Sequence, residues 1–271
     1  MKTRLIAGVS MVLVLFVLVL AAPKVVGALF FSALMAIGTY ELLYRTGLVR
    51  HTRLVLYSSA MAFAVTMWSY YGAVHAYLVL LILLFTMLLF GEMMNDHVKV
   101  RVSMLGECFF AGVIVPFLLS AVIRILTMKI GRYVALIPFV VACLNDAGAY
   151  FVGLRYGRHK LAPVVSPNKT IEGLFGGIGA AVAGMMIYAL ILQLLGDFQV
   201  NYFYALIYGV VGASAGAFGD LCFSIIKRQT GIKDYGNLIP GHGGVLDRLD
   251  SLMTVAPLIE VLLILLPVAV D

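Results

Sequence analysis

The chain has 271 residues, a formal net charge of +6, 63% hydrophobic residues, 12% charged residues and a mean hydropathy of +1.06. A soluble domain carries about 25% charged residues, so one water-soluble core is excluded, and lipid is the solvent that accommodates so apolar a chain. The modest positive charge calls for no nucleic-acid partner, because an excess of Lys and Arg is what fixes membrane topology.

The cysteines Cys108, Cys143 and Cys222 are far apart and lack metal-site spacing, so they read as small apolar residues. A bilayer-spanning helix needs about 20 apolar residues. Nine segments qualify: 5–22, 25–44, 54–71, 75–90, 104–128, 133–152, 173–195, 202–223 and 251–270. The first is read as a retained helix and not a cleaved signal, because the residues after it form a poor cleavage site. The expected fold is therefore an all-α polytopic transmembrane helical bundle of about nine spans. With the N-terminus inside, all of the 19 basic residues except Lys24, Arg124, Lys129 and Arg132 fall on the cytoplasmic side. The expected location is the cell (inner) membrane, with chemistry facing the cytoplasm.

Spans one to four, in 1–103, are plain apolar helices with one internal acid, Glu41. They read as a separate bundle with less function. The remainder, 104–271, is the expected catalytic region, with two long polar loops at 153–172 and 224–250. Small-xxx-small spacings at Gly173/Gly177, Gly176/Ala180 and Gly212/Gly216 predict close helix packing.

Acids in or beside membrane helices are costly and ask for a reason. Asp146, Asp220, Asp247 and Asp250 are such acids. If the eighth helix runs past the membrane, Asp220, Ser224, Lys227 and Arg228 share one face. Asp247 and Asp250 share another, and together these acids are candidates to hold a divalent cation through oxygen. In the second loop, Gly241, Gly243 and Gly244 surround His242, a pattern whose backbone amides can converge on an anion. Lys233, Asp234 and Arg248 flank it. Cations that neutralise phosphate, beside acids that hold a metal, suit phosphoryl or nucleotidyl transfer. His242 reads equally as a base, a phosphate donor or a turn residue. In the first loop, Ser166 with Pro167 reads as a helix N-cap, which leaves Lys169, Thr170 and Glu172 as candidates to meet a phosphate.

The run 224–250, SIIKRQTGIKDYGNLIPGHGGVLDRLD, resembles the signature of the phosphatidate cytidylyltransferase family, also called CDP-diacylglycerol synthases. The stretches DAGAY at 146–150, SPNKTIEG at 166–173 and Gly219-Asp220-Leu221 resemble the family's other motifs. Two positions depart from that pattern: Phe223 stands where members often have glutamate, and Asn168 where they often have a second lysine. The resemblance implies an integral membrane enzyme that joins CTP and phosphatidic acid, with Mg2+, to give CDP-diacylglycerol and pyrophosphate. It implies Asp220 and Asp247, supported by Asp250 and Asp146, as metal ligands. Lys227, Arg228, Lys233 and Arg248 would bind phosphate, the backbone of 241–244 would cradle it, and Ser166, Lys169 and Thr170 would contact substrate. A homodimer is compatible with the sequence. A transporter would place polar residues along a path through mid-membrane, between related halves, and neither is seen. An enzyme that uses CDP-activated lipid would carry a paired-acid motif on one helix, and none is found.

Overall fold

The computed structural model describes residues 2–72, 75–196, 198–238 and 243–270. All nine expected segments are helical among them. Helix α1 (Lys2–Phe16) runs on into a π-helical turn, Val17–Ala21. Helix α2 (Lys24–Tyr40) does the same through Glu41–Arg45. Then come α3 (Thr52–Tyr71) and α4 (His75–Asn95), parted at Gly72, whose φ of 56° is left-handed and ends α3. The fifth segment is broken into α5 (Val102–Phe109), a π-turn (Phe110–Ile114), α6 (Val115–Leu119) and α7 (Ala121–Thr127). A short α8 (Gly131–Val134) leads into α9 (Ile137–Tyr156), followed by α10 (Ile171–Gly196) and α11 (Tyr202–Gln229). One turn, α12 (Leu246–Leu249), precedes α13 (Leu252–Leu265).

Among the described residues, six runs are long and apolar enough to cross a membrane: Lys24–Arg45, His75–Asn95, Val102–Thr127, Gly131–Tyr156, Ile171–Leu194 and Tyr202–Gln229. The chain is an all-α, multi-pass membrane protein. Its apolar side chains point outward as well as inward. On α4, Leu80, Leu83, Leu84 and Met87 are exposed while Phe85 and Leu89 are buried. An outward leucine face is what a hydrocarbon solvent allows.

The chain divides into two compact units, each discontinuous in sequence. The first comprises Met1–Thr127 and Gln229–Leu249, the second Met128–Arg228 and Asp250–Asp271. This division differs from the boundary expected at 103/104. The fifth segment packs on α3 and belongs with the earlier spans, because Gly112 lets its backbone lie against Ser58. Thr39 Oγ1 also donates to the Ala111 carbonyl across 2.8 Å. Two hydroxyls inside α3 return to their own helix: Ser58 donates to Leu54 O and Thr66 to Ala62 O, which makes these buried polar atoms tolerable.

In the second unit the small-residue spacings pack as expected. A side chain at Gly177 would overlap Asn145, and one at Gly176 would overlap Val152, so α9 and α10 lie backbone to backbone. Gly212 faces Val141 and Ile259, and Gly216 faces Val255. An antiparallel ribbon of β3 (Gln199–Val200) and β4 (Ala269–Val270) ties the end of the chain to the α10–α11 connection.

The first polar loop is more ordered than its composition suggests. Strands β1 (Lys160–Ala162) and β2 (Ser166–Thr170) form an antiparallel hairpin. Ser166 is therefore not a helix cap. Pro167 biases the residue before it toward extended backbone, pairing with β1 holds the segment extended, and α10 starts later, at Ile171. Thr170 takes the capping role, its Oγ1 accepting from the Gly173 amide at 3.1 Å.

Candidate active site

Helix α11 runs to Gln229, so Asp220, Ser224, Lys227 and Arg228 do sit along one helix. Ser224 Oγ donates to Asp220 Oδ1 at 3.3 Å. The other oxygen of Asp220 meets Lys169 Nζ at 2.5 Å, from the end of β2. Both side chains are mostly shielded, at 28% and 25% exposed, so this pair is stronger than a surface ion pair. One turn further along, Lys227 lies 3.8 Å from Asp250, and both are less than 15% exposed. Arg228 reaches back to the hairpin, its Nε donating to the Val165 carbonyl at 3.1 Å. Burial, then repulsion from Asp220, pushes the Asp250 carboxyl up to about 7, against the pull of Lys227; the Asp146 charge adds a smaller repulsion. Asp146 itself is exposed on α9. The second unit thus brings together Asp220, Asp250, Lys169, Lys227 and Ser224, with Asp146 within electrostatic reach.

Two candidates in the same unit have structural employment. Thr170 is buried as the cap of α10. Glu172 accepts from the backbone amides of Arg158 and His159 at 3.0 and 3.2 Å, and its Oε1 pairs with His159 Nδ1 at 2.6 Å. It thereby fastens the hairpin to α10. His159 was not singled out in the sequence, and no spacing rule links positions 159 and 172. Ser166 lies on β2, half-buried.

The remaining candidates belong to the first unit. Asp247 is buried, and its Oδ2 accepts from the amides of Tyr235 at 2.8 Å and Gly244 at 3.0 Å. Gly243 has a φ of 86°, the left-handed conformation the glycine-rich loop was expected to use. The Gly244 amide, expected to meet a phosphate, instead serves the protein's own carboxylate. Lys233, Asp234 and Arg248 are exposed, and Gly241 and His242 lie outside the described residues. Glu41, set aside in the sequence reading, turns out to contact this loop. Its Oε1 accepts from the Val245 amide at 3.1 Å and its Oε2 from the Leu246 amide at 3.0 Å.

Among the described residues, no three His, Cys, Asp or Glu side chains converge on one metal-sized site. Magnesium is commonly held by one or two carboxylates, with waters and substrate phosphates completing the shell. The mutual repulsion of Asp220 and Asp250 is what such a cation relieves, so this donor pair fits a hard divalent ion that arrives with phosphate.

The model of the family described as "Cytidylyltransferase family" matches residues 2–266. The chain belongs to the cytidylyltransferase family. Three similar proteins are each named phosphatidate cytidylyltransferase. The Staphylococcus epidermidis protein is 47% identical over 133 residues, which is 49% of this chain and 49% of its own. The Staphylococcus saprophyticus and Staphylococcus aureus proteins are each 44% identical over 138 residues, 51% of this chain and 52% of theirs. The chain therefore spans about half the length of the curated relatives it matches.

Proposed function

We propose that this protein is a phosphatidate cytidylyltransferase, which converts CTP and phosphatidic acid into CDP-diacylglycerol and pyrophosphate. A lipid phosphate oxygen attacks the α-phosphorus of CTP. The new P–O bond forms as the bond to the β-phosphate oxygen breaks, and pyrophosphate leaves with that electron pair. The lipid phosphate is already an anion at neutral pH, so no strong base is required. The difficulty is bringing two polyanions together.

The observation that carries this reading, beyond family membership, is the pair of shielded ion pairs, Lys169 with Asp220 and Lys227 with Asp250. Lysines poised against carboxylates can be shared with incoming phosphates, and the carboxylates are then free to hold a divalent cation. In this reading Asp220 and Asp250 bind Mg2+, which would supply screening of phosphate charge and stabilisation of the leaving pyrophosphate. Lys169, Lys227 and Arg228 bind phosphate oxygens. Within the first unit, Asp247 is taken as a metal ligand, and Lys233 and Arg248 as nucleotide-phosphate contacts, on the motif resemblance. The site faces the cytoplasm across the bacterial inner membrane, as the distribution of basic residues favours, and the lipid enters sideways with its tails in the bilayer.

The test is transfer of label from CTP into a lipid-soluble product by purified protein in detergent. Product is expected only when phosphatidic acid and Mg2+ are both present. Asp220→Asn should lower turnover by at least about a hundredfold, on the scale of losing a key electrostatic group in an active site, while the protein remains folded. Full turnover in that variant removes Asp220 from the metal site. Folded wild-type protein that binds CTP yet labels no lipid overturns the assignment.

A further inference from the structure

A carboxylate inside a membrane helix is costly unless it is satisfied. Glu41 is 3% exposed, on the second span, and sits at the start of the π-turn Glu41–Arg45. Such turns insert an extra residue into a helix and are frequent at functional sites, where they re-aim side chains. Here the aim is definite. Each carboxylate oxygen accepts one backbone amide, from Val245 and from Leu246, 204 and 205 residues onward and beside Asp247. Charge-assisted bonds of this kind are roughly twice as strong as neutral ones.

The loop is shaped to receive this group. A β-carbon at Gly236 or at Gly244 would run into the Glu41 carboxylate, so both positions need glycine for the acid to seat. Leu246, 2% exposed, adds an apolar anchor beside Gly38, Thr39 and Leu42 of the same span. Asp247 then ties the two ends of the loop through the amides of Tyr235 and Gly244.

We infer that Glu41 is a positioning residue: from within the second membrane span it holds the segment 244–247, and with it Asp247, in the conformation that receives metal-bound nucleotide. This rests on the cytidylyltransferase reading for its substrate, while the positioning itself does not. The segment is assigned to metal-bound nucleotide, so the expected effect falls on CTP–Mg2+ before phosphatidate. Asp247 is assigned to the metal, and the metal travels with the triphosphate. A loop released from Glu41 occupies its competent form only part of the time, and apparent affinity falls by that fraction.

The experiment uses the full-length chain in nanodiscs and the variant Glu41→Gln, which keeps the shape but turns one acceptor into a donor facing an amide. Hydrogen–deuterium exchange should accelerate in peptides covering 243–249 and remain unchanged in α9 and α10. The KM for CTP–Mg2+ should rise about tenfold, with the KM for phosphatidate within about twofold. Gly236→Ala, which displaces the same contact from the loop side, should reproduce both effects and carries the test if Glu41→Gln does not fold. Unchanged exchange in 243–249 overturns the inference. So does a fall in kcat with both KM values unchanged, the mark of a smaller folded fraction. If the wild type transfers no cytidylyl group, the functional assignment fails, and the exchange result alone still decides the role of Glu41.

Discussion

When ionised, Asp250 must tolerate burial and the negative field of Asp220, opposed chiefly by Lys227 at 3.8 Å. Its folded value of about 7 lies above the ordinary value of 3.8. The unfolded chain therefore ionises first, and the penalty to the fold grows from about pH 4 and is complete above about pH 7. The metal-free protein should lose thermal stability as pH rises from 5 to 8. Asp250→Asn should flatten that slope, as read by the unfolding midpoint in detergent; an equal slope in the variant would show that another group titrates. Part of this residue chemistry was legible in the sequence. Asp220, Ser224, Lys227 and Arg228 obey helical spacing, so one helix had to carry them. Lys169 and Asp220 are each legible as candidates, but their pairing is not, because 51 positions separate them and no local rule reaches that far. Glu41 was noticed and passed over for the same reason: its partners are amides, which any residue can offer.

The pairing of α9 with α10 depends on side chains that are absent. Gly177 faces Asn145 without room for a β-carbon, whereas Gly179, two residues on, has nothing within 4 Å of where one would stand. Gly177→Val should therefore destabilise the protein by about 1–3 kcal/mol, the usual cost of overpacking, while Gly179→Val should be close to neutral. A scan of unfolding temperature for the two variants checks this, and equal shifts would mean the glycines are not a packing seam. Elements of this kind read well from sequence because twenty apolar residues in a row leave few alternatives. The hairpin of Lys160–Ala162 with Ser166–Thr170 did not: its strands are too short and polar to show a period of two. The π-turns at Glu41–Arg45 and Phe110–Ile114 leave no signature in hydropathy, since an extra residue per turn changes geometry without changing composition.

At the scale of the molecule, nine apolar segments and two polar loops were visible in composition, but the grouping of the segments was not. Spans one to five share a compact unit with residues 229–249, because Glu41 and Leu246 bind loop and span together. A linear reading assigns that loop to its chain neighbours, and neighbours in a membrane bundle are chosen by packing. The ninth segment has a consequence of a different kind. Helix α13 has 14 residues, about 21 Å at 1.5 Å each, against a hydrocarbon layer of about 30 Å. Beyond it the backbone turns into the ribbon with Gln199–Val200, which pairs amides that lipid could not. A lipid layer spanned by so short a helix would thin to meet its ends, at a fraction of a kcal/mol for each ångström of mismatch. Turnover measured in vesicles of increasing acyl-chain length should accordingly peak in thin bilayers and decline in thick ones; a flat profile would show that tilt of neighbouring helices absorbs the difference. The protein would then be a reader of membrane thickness, working best where the elastic sheet around it is already willing to dimple.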